Sequence, residues 1–248
     1  MFILYPTDYF NKKLPDESFI DETTETKKLL SIGTFFSAPA EGETVVYRGW
    51  MLSGDEYDEI SDFCKKKGLN LLTDKETYYN AHHIDNWYDR VKGLTPETLI
   101  FKDKESLLSA VEKSDWPAFF IKDSVKSLTT SRGSIANSKD EVSEIVAELE
   151  DKKGIEGSLV IRKVHNFLSD SEVRYFSIKG KLQSPSGHSS AIAEKVSTMF
   201  SEMPFISIDI IKDADGQEWL VEIGDGQVSD MKMWKPAEFA QMLSKIQA

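Results

Sequence analysis

The sequence predicts a mixed α/β (α+β) fold. In the first hundred residues, short apolar runs alternate with amphipathic helical patterns, which favours an open sheet. In the second half, the β-branched runs Phe205–Ile211 and Glu218–Ile223 flank Asp215-Gly216, a strong signal for a two-residue hairpin turn. The content of 40% hydrophobic and 11% aromatic residues is typical of a globular chain with a proper core.

The first part of the chain is predicted to begin with a strand that Pro6 ends, followed by an irregular acidic segment with one short helix. A second strand then leads to a helix that Ser53 caps and Gly68 ends. The predicted elements are strands Phe2–Tyr5, Thr44–Trp50, Leu69–Leu72 and Thr98–Phe101, and helices around Thr26–Leu30, after Ser53, over Thr73–Tyr88 and over Glu105–Lys113.

The second part is predicted to contain more strands, and we place the domain boundary between residues 114 and 115. A small sub-domain is expected at about 115–156 and an antiparallel sheet with helices at about 157–248. The predicted elements are strands Ala118–Ile121, Ser158–Val164, Glu172–Ile178, Lys181–Gln183, Phe205–Ile211 and Glu218–Ile223, and helices from Ser138 to about Lys152, over about Ser190–Met203 and from Pro236.

Composition and charge exclude several classes of function. The net charge of −12 and pI of about 4.9 disfavour a nucleic-acid-binding protein. The single cysteine, Cys64, excludes an intrachain disulfide framework and is expected to be a buried, inert thiol. No apolar run approaches the ~20 residues that span a membrane, and the N-terminus lacks a secretion signal. We therefore expect a cytoplasmic protein with no membrane partner.

The predicted hairpin carries two carboxylates at apolar positions. If Asp215 and Gly216 are the central turn residues, Asp209 lies opposite Glu222, and like charges in such a pair are destabilising. A hard cation such as Mg²⁺ would compensate them. The alternative is a strand pair whose charges face solvent.

Cations cluster in or just after the strands of the second part. They are Lys122, Lys126, Arg162, Lys163 and Arg174. Each alone is typical of a solvated face, but their placement with Asp209, Glu222 and Asp225 indicates a site for a metal ion and a polyphosphate. The polar stretch Ser127–Ser138 is compatible with a loop that closes over an anion.

The order of these motifs resembles the ATP-grasp superfamily from about Thr98 to the C-terminus. The resemblance rests on AFFIK, VIRKV…SEVRYFSIKGKL and FISIDIIKDADGQEWLVEIGDGQ. It is similar to small ATP-grasp proteins of bacteria and their phages. The segments YRGWML and AHHIDNWYD look like the pre-grasp domain of that group. The resemblance therefore implies an ATP-grasp fold over 115–248 after an N-terminal α/β pre-grasp domain over 1–114.

The resemblance also implies roles for individual residues. ATP would contact Lys122, Lys126, Arg132, Arg162, Lys163, Val164 and Arg174, with Lys163 and Val164 at the adenine hinge. Arg174 and Lys126 would be catalytic. Asp209 and Glu222 would hold Mg²⁺, and Asp225 would replace the usual asparagine, whose position Gly224 takes here.

A substrate role is expected for Arg48, Trp50 and His82. Arg48 would pair with a carboxylate, although a structural salt bridge to the acidic N-terminal segment is an equal alternative. His82 is more typical of a helix edge packed on the core than of a catalytic group.

The implied function is that of an ATP- and Mg²⁺-dependent carboxylate–amine ligase that proceeds through an acyl-phosphate. Its partners would be small-molecule or peptide carboxylates and amines, and a homodimer is left open. The alternatives are a non-catalytic ATP-binding module, which the single glycine of the phosphate loop favours, and an ATP-dependent phosphotransferase on the same fold.

Overall fold

The computed structural model describes residues 2–5, 29–31, 34–35, 41–125, 133–152 and 155–246. The strands are β1 Phe2–Tyr5, β2 Leu29–Ser31, β3 Thr34–Phe35, β4 Thr44–Tyr47, β5 Asn70–Leu71, β6 Thr98–Phe101, β7 Phe119–Asp123, β8 Ile135–Ala136, β9 Leu159–Lys163, β10 Val173–Ile178, β11 Lys181–Gln183, β12 Phe205–Lys212 and β13 Glu218–Asp225. The helices are α1 Gly54–Lys66, α2 Lys75–His82, α3 Ile84–Val91, α4 Lys104–Lys113, α5 Lys139–Lys152, α6 Ala191–Met199 and α7 Pro236–Leu243.

The chain divides into two compact units that interleave along the sequence. Unit 1 comprises residues Met1–Ala81, Val173–Ile210 and Glu222–Ala248, and unit 2 comprises His82–Glu172 and Ile211–Val221. The predicted domain boundary at residue 114 stays a prediction. No helix in the described residues is both long enough and apolar enough to cross a membrane.

Unit 1 contains a sheet in the order β3-β2-β1-β4-β5, in which β1 runs parallel to β2 and β4, and β4 runs parallel to β5. This confirms the strand–helix–strand pattern of the first part. Helix α1 begins with the predicted cap, because Ser53 and Glu56 form a reciprocal capping box. On the buried face of α1, burial raises the pKa of Cys64 to about 11, which agrees with an inert thiol.

The core of unit 1 combines residues that are far apart in the sequence. Ile3 and Val46 of the N-terminal sheet belong to the same buried cluster as residues of β10, β12 and α7. Within this cluster the Phe176 ring lies 5.4 Å from the Phe205 ring and 5.2 Å from the Phe239 ring, measured between centroids. Three separate chain segments are therefore needed to complete this core.

Unit 2 contains a fully antiparallel sheet in the order β6-β9-β7-β8. Side chains alternate between the two faces of a strand. Phe119 and Ile121 of β7 and Ile161 of β9 point to one face and join a buried cluster with residues of α4 and α5. The opposite face of the same strands is thereby left for other residues.

The second sheet has the order β11-β10-β12-β13 and contains the predicted hairpin β12–β13. Its turn differs from the prediction. Asp213 N–H donates to Gln217 O and Gly216 N–H donates to Asp213 O, so three residues, not two, lie between the paired positions. Gly216 has φ +81°, which suits a type I turn followed by a glycine bulge. The register counted from a two-residue turn therefore loses its basis.

Two further elements differ from the sequence prediction. The helix expected around Thr26–Leu30 ends in described residues that form strand β2, because Leu29 and Leu30 pair with β1. The helix expected over Thr73–Tyr88 is two helices, since His83 adopts an extended conformation (φ −83°, ψ 114°) between them.

Candidate functional site

A buried ion pair lies at the centre of unit 1. Arg174 on β10 is paired across the sheet with Asp209 on β12, which places both side chains on one face. Arg174 Nε and Nη2 donate to the two carboxylate oxygens of Asp209 at 2.8 and 2.7 Å. Asp209 is only 2% exposed, so its charge needs this compensation. The strand-embedded carboxylate predicted from the sequence thus has an arginine as its first cation.

Three more charges surround this pair. Lys232 Nζ lies 3.1 Å from Asp209 Oδ2, and Asp230 Oδ1 lies 2.8 Å from Arg174 Nη1. Burial lowers the pKa of Arg174, but Asp209, Asp230 and Glu222 together raise it above its ordinary value. Glu222, which is half-buried on β13, therefore contributes to the same electrostatic cluster.

The chemistry of Asp209 and Glu222 fits a magnesium ion, which prefers carboxylate oxygens. Lys232 and Arg174 already bind the oxygens of Asp209, so these two side chains occupy the place that a bound cation would take. The backbone of Lys232 has φ +45°, a conformation that residues other than glycine rarely adopt. The described residues contain no group of three or more His, Cys, Asp or Glu side chains that could hold a metal ion.

Asp225 belongs to a different environment from Asp209 and Glu222. It is three residues beyond Glu222 on β13, so the two side chains point to opposite faces of the strand. Asp225 Oδ1 accepts from Gln227 N–H at 2.8 Å. Its Oδ2 is buried without a hydrogen-bond partner among the described residues. Burial raises the pKa of Asp225 to about 7, although Gln227, Thr73 and Arg48 lower it.

Arg48, expected to bind substrate, is 2% exposed and holds the loop that follows Asp225. Its Nη1 donates to Gly226 O at 2.7 Å, Gln227 O at 3.2 Å and Ser229 O at 2.7 Å. The guanidinium also lies 4.7 Å from the centroid of the Phe239 ring, a cation–π distance. In this arrangement Arg48 orders a loop of unit 1.

The other two substrate predictions fall in different units. Trp50 in unit 1 is 43% exposed, whereas His82, the first residue of unit 2, is buried. The substrate role of all three residues stays a prediction.

Unit 2 holds two of the predicted ATP-binding cations on one face of its sheet. Lys122 on β7 opposes Val160, and Phe120 opposes Arg162 on β9, so Lys122 and Arg162 share the face opposite the helices. Both are buried. Arg162 Nε donates to Thr98 Oγ1 at 3.2 Å, and its Nη1 donates to a backbone carbonyl at 2.8 Å. Two buried cations on one sheet face attract an anion.

The predicted hinge residues use their backbone donors within the fold. Lys163 N–H donates to Glu97 O at 2.8 Å and Val164 N–H donates to Ala118 O at 3.4 Å. Lys126 and Arg132 lie outside the described residues, so their predicted roles stay predictions.

The sequence analysis missed Lys232 and Asp230. Both follow β13 in a segment without helical or strand periodicity, and nothing in the local pattern distinguishes them from surface charges. A cation that follows soon after the carboxylates of the hairpin is the signal that could have pointed to Lys232.

We expect the Lys232→Met variant to bind divalent cations more tightly than the unchanged protein, by about three-fold or more, because one competing cation is removed from Asp209 Oδ2. The measurement is a titration with Mn²⁺ followed by water proton relaxation. Lys235→Met is the matched control, since Lys235 approaches Glu238 and not Asp209. Equal affinities in the two variants would contradict the competition.

Comparisons with known proteins agree with these features. The model of an ATP-grasp domain family, described as family 3 of its clade, matches residues 94–243. A comparison of the sequence with curated proteins finds no match.

Solved structures share the fold at low sequence identity. An ATP-grasp RimK domain protein from Sphaerobacter thermophilus is 11% identical, with a TM-score of 0.64 over 98% of both chains. D-alanyl-alanine synthetase A from Vibrio cholerae is 12% identical, with a TM-score of 0.62 over 99% of this chain and 96% of that chain. The ATP-grasp ligase PsnB, solved with a minimal precursor, Mg and ADP, is 11% identical, with a TM-score of 0.59 over 98% of this chain and 97% of that chain.

Proposed function

Because the chain belongs to this family of ATP-grasp domains, we propose that it is an ATP- and Mg²⁺-dependent carboxylate–amine ligase that works through an acyl-phosphate. The structures named above include a D-alanyl-alanine synthetase and a ligase solved with its precursor, which supports this reaction class. The substrates would be a small-molecule or peptide carboxylate and an amine.

The observation that carries the proposal is the pair of buried cations on one face of the unit 2 sheet. Burying Lys122 and Arg162 costs free energy, which a nearby anion offsets. Lys122 Nζ lies 3.5 Å from Val125 O, a long distance for a hydrogen bond from a charged donor. Phosphate oxygens are strong acceptors for such donors, and ATP supplies them.

The residues of the chain perform binding and charge stabilisation in the proposed reaction. Lys122 and Arg162 bind phosphate oxygens, and Arg174 stabilises the negative charge on the transferring phosphoryl group. Asp209 and Glu222 hold the magnesium ion, which neutralises phosphate charge when it is bound. The reaction needs no covalent protein nucleophile, because the substrate carboxylate accepts the phosphoryl group and the amine then displaces phosphate.

A non-catalytic ATP-binding module is the second candidate. It is favoured by the full engagement of Asp209 with Arg174 and Lys232, which leaves neither carboxylate oxygen uncompensated. A phosphotransferase on the same fold would release a stable phosphorylated product instead of an amide. Product analysis separates the three functions.

The test is phosphate release from ATP in the presence of panels of carboxylates and amines. We expect release that requires one member of each panel together with Mg²⁺. We also expect Lys122→Met to weaken ATP binding by about ten-fold or more, because a buried ammonium is lost. Lys113→Met removes an exposed cation of the same unit and should leave ATP binding unchanged. Tight ATP binding without phosphate release on any pair would contradict the ligase proposal.

A further inference from the structure

A pocket of about 150 Å³ opens on unit 1. Its apolar lining includes Tyr47 and Trp50, together with Ile60 and Phe63 of helix α1. A cavity of this volume can hold a group of the size of benzene. The exposed indole of Trp50 therefore belongs to a built concavity of unit 1.

Two carboxylates give this pocket a negative rim. Glu56 and Glu59 of α1 also line it. They are three residues apart, so they are neighbours on the helix surface. Neither lysine nor arginine is among the lining residues. Besides burial, the charge of Glu56 raises the pKa of Tyr47, so its field reaches the pocket wall. The hydroxyl of Tyr47 is itself used, donating to Trp50 O at 3.1 Å.

We propose that this pocket binds an alkylammonium group, with the alkyl stem against the aromatic and aliphatic wall and the ammonium at the glutamates. Aromatic faces attract cations, and a lysine-like stem removes apolar surface from water while its charged head stays at the rim. A neutral or anionic group of the same size would lack the attraction or be repelled.

The chemistry also says which part of a substrate the pocket would hold. Nearby carboxylates favour the protonated form of an amine, whereas an amine acts as a nucleophile only after it has lost its proton. The bound ammonium is therefore not the reacting group. It is a second, permanently charged group of the substrate, as in a lysine-containing peptide or a diamine. This role in substrate selection rests on the proposed ligase function.

The experiment is a titration of the full chain, without ATP, with pentylammonium and with 1-pentanol as its neutral counterpart. Binding is followed through the indole N–H signal of Trp50 in ¹H–¹⁵N spectra, assigned by its absence in Trp50→Phe. The double variant Glu56→Gln/Glu59→Gln removes both charges, and glutamine at position 56 can keep the capping box. Asp62→Asn removes a charge from the same helix outside the pocket.

We expect pentylammonium to bind at least five-fold more tightly than 1-pentanol in the unchanged protein and in Asp62→Asn. The preference should disappear in the double variant. Equal binding of both probes, a preference that survives the double variant, or no shift of the Trp50 signal would overturn the proposal. Because ATP is absent, these results do not depend on ligase activity. Phosphate release with norleucine-containing instead of lysine-containing peptides would separately count against the substrate role alone.

Discussion

Replacing Arg174 by alanine is expected to lower the free energy of unfolding by about 3–5 kcal/mol, because it leaves the buried carboxylate of Asp209 without its bidentate partner. Lys232 still approaches Asp209 Oδ2, but a single contact does not replace two charge-assisted hydrogen bonds. The measurement is urea unfolding followed by circular dichroism.

The double variant Arg174→Leu/Asp209→Leu distinguishes this explanation from a loss of packing. Removing both charges together leaves no uncompensated buried ion, so the double variant should be more stable than Arg174→Ala. Asp230→Ala serves as the matched control, since Asp230 contacts the same guanidinium with an exposed side chain and should cost less than about 1 kcal/mol. A double variant less stable than the single one would contradict the assignment.

Replacing Asp85 by alanine is the second large effect that we expect, of about 2–4 kcal/mol. Within unit 2, Asp85 accepts hydrogen bonds from Ser124 Oγ at 2.5 Å, Ser158 Oγ at 2.5 Å and Lys102 Nζ at 3.1 Å. Both serines are fully buried, so their hydroxyls lose a partner that water cannot easily replace. Asp89→Ala on the same helix removes only an exposed pair with Lys92 and should change stability little.

The same carboxylate gives a pH dependence of definite sign. Burial raises the pKa of Asp85, but its hydrogen bonds from Ser124, Ser158 and Lys102 outweigh this and hold the pKa below 3.8. A depressed folded-state pKa stabilises the fold above the unfolded value and loses this effect as the pH falls. The stability difference between the unchanged protein and Asp85→Asn should therefore be constant above about pH 5 and shrink below about pH 4. A difference that grows with acid would contradict this assignment.

Much of the fold could be predicted because its elements have local signals. The ATP-grasp fold, the Ser53 cap and the hairpin strands follow from periodicity, capping residues and the Asp215-Gly216 turn. The turn length was wrong, because Asp-Gly also suits a type I turn with a glycine bulge, and the pairing of Asp213 with Gln217 decides between the two. Strand β2 was missed because its three residues gain their conformation from pairing with β1.

The candidate site was predictable only in part. Sequence position indicated Asp209 and Arg174 individually, but their direct pairing depends on the register of β10 against β12. The alternation of side chains along β13 could have separated Asp225 from Glu222, since their spacing of three is visible in the sequence. The role of Arg48 as a holder of the loop over Gly226–Ser229 requires contacts between residues about 180 positions apart, for which no local pattern exists.

The interleaving of the two units has a consequence for dissecting the protein. The buried cluster of unit 1 needs Ile3 and Val46 from one stretch, Phe176 and Phe205 from a second, and residues of α7 from a third. A fragment that ends at residue 114 would therefore expose the apolar faces that these later segments cover. Two fragments divided there would have to reassociate before either part of this core could form. The final helix is thus as much a part of the amino-terminal sheet's packing as the strands that precede it.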